Sequence, residues 1–344
     1  MPGVETNIAI LENTDESLKI NFTITNLTDK DLHVLKRNTP LEGLKSDCLI
    51  VTVDGERVNY DGYFLKRAAP KPEEYIELKA GETLSNVIDV SNAYDVSKSG
   101  AYEIKFDDSN LIIIPAAYTR DLLTTDVKSI SETAPQEVSN QHVSVIRTVT
   151  DAAAKTIGQQ LREEDKKKVE LKAVVKATLK TPRIVGGTPD QRKTVTKAHK
   201  AGYRYAKKAA TEVKDDNLYK LWFGSHTETR EENVKTVYEK VSSRMERITF
   251  IYRFDGNECD DTTYAYTTVG GRTIWLCTMF WESPDGGFDS RAGTMVHEHS
   301  HASAGTDDLE YSRVKCKQLA ISKPETAIKN ADTYEFYSES FHTD

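Results

Sequence analysis

From residue 7 to about residue 120, apolar positions come in short runs separated by turn-rich spacers. Residues 18–24 read Leu-Lys-Ile-Asn-Phe-Thr-Ile, apolar at every second position. Successive side chains of a strand point to opposite faces, so this period marks a half-buried strand. Comparable runs at 7–11, 49–53, 75–78 and 102–106 predict further strands. Their spacing predicts an all-β immunoglobulin-like sandwich over residues 1–120. Its one histidine, His33, and its lack of clustered ligand-type residues give this region no chemistry of its own.

The pattern changes after residue 120. Residues 121–140 are polar and predict a long loop, and 143–163 predict a helix. The run Glu163-Glu164-Asp165-Lys166-Lys167-Lys168, followed by Lys172, Lys176 and Lys180, predicts a solvated linker. Residues 121–184 are therefore read as a linker with one helix. At Thr188-Pro189 the chain offers an N-cap with proline at the first helical position. A helix to about residue 213 follows, then a second over 229–248, with Leu221-Trp222-Phe223-Gly224 between them as an apolar loop that plugs the core. Strands are predicted at 248–254, 262–269 and 272–280, the last two joined at Gly270-Gly271 as a hairpin. A helix over 289–303 and two short ones over 311–320 and 324–340 complete an α+β domain at 185–344.

Within the helix predicted at 289–303, residues 297–301 read His-Glu-His-Ser-His. Three of the chain's eight histidines fall in these five positions. Side chains four apart share one helix face, so His297 and His301 can converge on a single zinc ion. Glu298 then stands beside the ion's open position, where it can take a proton from the attacking water. His299 points away from that face and is read as a supporting or surface residue. A catalytic zinc takes a third protein ligand. Gly305-Thr306-Asp307-Asp308-Leu309-Glu310-Tyr311 follows at once. Gly305 can end the helix in a left-handed turn that brings these carboxylates back toward the metal.

These residues resemble the aspzincin metalloendopeptidases, the deuterolysin and peptidyl-Lys family, whose H-E-x-x-H is followed by a G-T-x-D-x-x-Y-like element. The matching positions here are Gly305, Thr306, Asp308 and Tyr311. The resemblance implies zinc on His297, His301 and Asp308, with Glu298 as general base. It also implies Tyr311 as hydrogen-bond donor to the developing oxyanion or to the leaving group. Asp307 is the competing ligand, ranked below Asp308. Ser312 stands where the family usually has glycine. In the lysine-specific branch an aspartate and a glutamate three residues later accept the substrate's lysine. Asp332 and Glu335 have that spacing and would share a helix face. The likeness covers roughly residues 185–344. Upstream, the chain looks like the propeptides of secreted bacterial members.

Four cysteines, Cys48, Cys259, Cys277 and Cys316, allow three full pairings, and sequence does not choose among them. Cys259 and Cys277 bracket the predicted hairpin, and the likeness to fungal members supports a bridge there. Cys48 and Cys316 are read as buried free thiols. The net charge of −8 carries no footprint of nucleic-acid binding. No apolar run approaches the ~18 residues needed to span a bilayer. The first residues do not form a signal peptide, so secretion would require that a signal was removed before this chain begins.

The expected molecule is therefore multidomain: an N-terminal immunoglobulin-like sandwich followed by an α+β zincin-like metalloprotease domain. It is expected to be a monomeric, secreted proenzyme with one zinc ion, acting on proteins and peptides before lysine. Its own N-terminal domain would be an intramolecular inhibitor, removed by self-cleavage in the lysine-rich linker. A different reading makes it a toxin-like protease that keeps the β-domain as a targeting module. A purely structural zinc site would need a fourth ligand that the sequence does not offer.

Overall fold

The computed structural model describes residues 3–116, 138–150, 153–167 and 178–342. The chain packs as two compact units, Met1–Gly62 with Pro70–Gln160, and Tyr63–Ala69 with Leu161–Asp344.

The first unit is β-rich. Strands β1 (Val4–Thr14) and β2 (Ser17–Asn26) pair antiparallel, with a bulge between Ile10 and Glu12. Strand β8 (Thr83–Asp89) extends that sheet beyond β2, and β11 (Val138–Asn140) lies parallel to β1. A second sheet holds β3 (Leu32–Leu35), β7 (Tyr75–Leu78) and β10 (Ile113–Pro115). A third holds β4 (Leu49–Val53), β5 (Glu56–Arg57), β9 (Gly100–Phe106) and β12 (Val143–Arg147). The alternation seen in sequence is the alternation of burial: Leu18, Ile20, Phe22 and Ile24 are all buried. Phe22 of β2 meets Phe106 of β9 with ring centroids 5.0 Å apart, which brings the first and third sheets face to face.

The helix expected over 143–163 is found only from Ile157 onward. Residues 143–147 form β12, paired Val143↔Ile104 with β9, and the described helix α1 is Ile157–Lys167. Branched Val143, Val145 and Ile146 lose side-chain freedom in a helix and suit a pleated sheet. Arg147, buried at the end of β12, donates to the carbonyls of Val96, Ser17 and Asp15 and to Asn13 Oδ1. The polar loop expected at 121–140 lies mostly outside the described residues.

The second unit is α+β. Its sheet runs β13 (Arg183–Val185), β14 (Ile251–Arg253), β16 (Thr273–Leu276), β15 (Thr263–Thr267), β6 (Phe64–Arg67). The first three strands are parallel and the last two pair antiparallel. Helix α2 (Pro189–Glu212) starts as expected. The Thr188 hydroxyl accepts from Gln191 N, and the Gln191 side chain returns to the cap, a box worth about 1 kcal/mol. Helix α4 spans Glu228–Arg247.

Between them lies a helix and not a loop, α3 (Asn217–Phe223), capped by Asp216, whose side chain accepts from Tyr219 N. Trp222 and Phe223 still fill the core, while Leu221 is exposed. The strand expected to reach residue 280 ends at Leu276, and a short helix α5 (Thr278–Glu282) follows. Helices α6 (Arg291–Ala304) and α7 (Arg313–Ser322) come next. The helix expected over 324–340 is split into α8 (Pro324–Ala327) and α9 (Ala331–Glu339).

Helices α2, α4, α6 and α9 enclose one core containing Val195, Tyr238, Met295 and Tyr334. Gly202 sets how closely α2 approaches α6, since a Cβ there would lie 2.6 Å from Met295 Cβ and 3.1 Å from Ala292 O. Cys259 and Cys277 form a disulfide. Cys48 and Cys316 are free and buried.

Candidate active site

Helix α6 is sunk in the core: every residue from Ala292 to Ala302 is buried. The Ser290 hydroxyl caps its start by accepting from Gly293 N. Gly305 ends it with φ 71°, the left-handed turn expected there. His297 Nε2 and His301 Nε2 lie 3.0 Å apart. Asp308 Oδ1 is 3.1 Å from the first and 3.2 Å from the second. Ligand atoms around a tetrahedral zinc with bonds near 2.0–2.1 Å stand about 3.3 Å apart. The triangle therefore fits one face of such a site, and two imidazoles with one carboxylate are a donor set zinc accepts.

The far side of each imidazole meets an oxygen. His301 Nδ1 is 2.6 Å from Thr306 O, and His297 Nδ1 is 2.8 Å from Asp332 Oδ1. An acceptor there holds the proton on Nδ1 and leaves the Nε2 lone pair for a metal. Burial alone would lower the pKa of His297, but Asp308 beside it raises it well above the usual value. Burial pushes Asp308 upward, and the His301 and His297 rings overcome that and hold it low.

Glu298 is fully buried next to this triangle, and neither of its oxygens has a hydrogen-bond partner among the described residues. Burial raises its carboxyl well above the usual range. A carboxylate ready to bind a proton suits a base that must later return it.

The loop carrying Asp308 and Tyr311 is pinned by a residue that sequence reasoning missed. Asn330 Oδ1 accepts from Leu309 N and Glu310 N, each at 3.0 Å, and Asn330 Nδ2 donates to Glu310 O at 3.0 Å. Its one sequence signal is its place as N-cap of α9. Asp307, the competing ligand, pairs through its backbone with Asn330. Two groups among the described residues could hold a metal, His297 with His301 and Asp308, and His297 with Asp332 and Glu335, and Asp307 is in neither. His299 is not at the surface. It is buried, 2.8 Å from the Tyr252 hydroxyl, which is 2.7 Å from His199 Nδ1.

On α9, Asp332 and Glu335 lie one turn apart and both are buried. Between them sits the ammonium of Lys66, 2.6 Å from Glu335 Oε2 and 3.2 Å from Asp332 Oδ1. Burial would lower the pKa of Lys66, but Asp332 and Glu335 raise it well above the ordinary value, so it stays charged. Lys66 belongs to β6, in the region read from sequence as having no chemistry. That reading fails here. The Tyr311 hydroxyl donates to the carbonyl of its neighbour Leu65 at 3.4 Å.

A metal triangle beside a buried glutamate, on the central helix of an α+β unit, is the arrangement of a zinc endopeptidase. Comparison with known proteins gives the family. Residues 206–339 match the model of the lysine-specific metallo-endopeptidases. The peptidyl-Lys metalloendopeptidase of Pleurotus ostreatus is 38% identical over 126 residues, which are 36% of this chain and 73% of that protein. An extracellular protease of Aeromonas hydrophila is 27% identical over 98% of this chain and 92% of its own length. Among solved structures, a zinc peptidase from Grifola frondosa is 30% identical, with 46% of this chain aligned to 99% of that one at a TM-score of 0.41. The chain belongs to the aspzincin family of metallo-endopeptidases. It is a zinc-dependent peptide hydrolase with one catalytic zinc ion.

Proposed function

We propose that the chain is a secreted endopeptidase that cuts on the amino side of lysine and matures by cutting itself. Secretion is supported by its relation to an extracellular protease. His297, His301 and Asp308 would hold the zinc ion. When bound, zinc supplies a Lewis acid that polarises the scissile carbonyl and lowers the pKa of water. Glu298 takes the proton of the attacking water and passes it to the leaving amine. The Tyr311 hydroxyl donates to the oxygen on which charge develops.

Asp332 and Glu335 take the ammonium of the lysine that follows the cut bond. The observation that carries this preference is their burial: two enclosed carboxylates, one of them also backing His297, both face one lysine ammonium. Enclosed charges are tolerated only when paired, so the pocket selects a cation on a slender stem.

The test is a set of peptides that differ only in the residue after the cut bond. Lysine should exceed alanine in kcat/KM by about 100-fold, and Asp332→Asn with Glu335→Gln should abolish the difference. Equal rates for lysine and alanine peptides in the unaltered enzyme would remove the specificity.

The self-cut is placed within residues 166–180, of which 168–177 lie outside the described residues. A matured catalytic unit with no N-terminus inside that window, whatever cuts occur upstream, would refute the placement. The β-rich unit is read as an immunoglobulin-like prodomain. Its persistence in active, secreted enzyme would make it a targeting module instead.

A further inference from the structure

We propose that residues 63–69 are bound in the active site as the chain's own substrate, with Leu65–Lys66 as the bond presented for hydrolysis. This rests on the lysine-pocket reading above and adds what fills the pocket and which bond that exposes.

The segment belongs by its packing to the second unit. Strand β6 adds antiparallel to β15 at the end of the sheet, with Phe64 opposite Thr267, Leu65 opposite Tyr266 and Lys66 opposite Ala265. Ala68 N continues the ladder to Thr262 O at 2.7 Å. Extended peptides are recognised in this way, with backbone pairing for affinity and alternate side chains in pockets for specificity.

Alternation along a strand puts Phe64 and Lys66 on one face. Phe64 stacks on His301, ring centroids 4.9 Å apart. The Lys66 ammonium reaches Glu335 and Asp332, and Asp332 also backs His297. Side chains two residues apart thus meet His301 and the carboxylates behind His297, and the backbone between them runs beside the candidate ligands. The carbonyl in that stretch, Leu65 O, is the one that accepts from Tyr311. If Lys66 is the lysine after the cut bond, Leu65 O is the carbonyl that must be polarised, so pocket and hydroxyl agree on one register. All four residues of β6 are buried.

The reaction needs only water. Its oxygen bonds to the Leu65 carbonyl carbon, the carbon–nitrogen bond breaks, and the proton taken by Glu298 passes to the Lys66 nitrogen. The products are a Leu65 carboxylate and a Lys66 amino terminus. Until the cut, the segment competes with every added lysyl peptide.

The test incubates the zinc-loaded full chain at several protein concentrations and maps new N-termini by mass spectrometry. A Lys66 terminus is expected, formed at a rate independent of concentration and absent from Glu298→Gln. A rate proportional to concentration would mean that another molecule makes the cut, and would overturn the proposal. Occupancy is read without turnover. In Glu298→Gln, adding Lys66→Gln should tighten binding of a fluorescein-labelled lysyl peptide by about tenfold or more in polarisation. Unchanged affinity with intact circular dichroism would overturn it. An enzyme that cuts added peptides before lysine yet never yields a Lys66 terminus sinks this proposal and leaves the pocket standing. One that neither cuts nor binds lysyl peptides sinks both.

Discussion

Glu298 has no hydrogen-bond partner among the described residues, yet it is wholly enclosed. Such a group is costly to bury unless a cation or a proton meets it. Glu298→Gln keeps the shape, so zinc binding and fold should persist while kcat falls by about 10²–10⁴. Activity near wild type in a metal-loaded variant would take the base role from this residue. His199 supplies a pH prediction. Burial lowers its pKa from 6.5 to about 4. The unfolded chain therefore binds this proton first, so the stability of the neutral ring is complete above about pH 6.5 and is lost as pH falls toward about 4. By pH 5 the loss is about 2 kcal/mol. Urea unfolding of the wild type should show it between pH 7 and pH 5, and His199→Gln should flatten the slope; equal slopes would clear His199. That His297 and His301 share one helix face was legible because their spacing is local, one helical turn. The inward turn of His299 was not, because His299 takes its place from Tyr252 and Phe250, both distant in sequence.

At the scale of elements, the candidate metal site takes its carboxylate, Asp308, from a loop that has little structure of its own. The turn at Gly305 and the clamp by Asn330 fix the segment from which Asp308 reaches the histidines. Asn330→Ala leaves Leu309 N and Glu310 N without that partner and should weaken zinc affinity about 10-fold or more, measured by competition with a chelator. Wild-type affinity would show that the loop holds itself. Behind the site, Gly202→Ala pushes α2 from α6 at Met295 and should cost about 1–3 kcal/mol in urea unfolding. Long helices were readable from caps and period, as Thr188-Pro189 and Gly305 illustrate. Short elements were not. The seven residues of α3 give too little period to separate a helix from an apolar loop, and Asn330 divides α8 from α9 without any glycine or proline at that point to mark the break.

At the scale of the whole molecule, the part hidden from sequence is pairing at long range. Nothing near Lys66 says that its strand joins a sheet whose next strand begins at Thr263. Register between distant strands is set by what the folded faces bury, and a lysine is read as a surface residue until an acid pocket is built around it. The same long-range assembly makes zinc a folding ligand as well as a catalytic one. The candidate ligands lie on α6 and on the loop after it, inside one core shared by α2, α4, α6 and α9. An ion bound only by the folded unit stabilises it by mass action, about 2.7–4.1 kcal/mol at free zinc 100–1,000 times Kd. The three tryptophans of the chain, Trp222, Trp275 and Trp281, all belong to the second unit. Their fluorescence therefore follows that unit alone. Removing metal with a chelator should lower the urea midpoint read by tryptophan, and added zinc should restore it. A midpoint that ignores both would mean that the site is not assembled in the folded chain, whatever the distances between His297, His301 and Asp308.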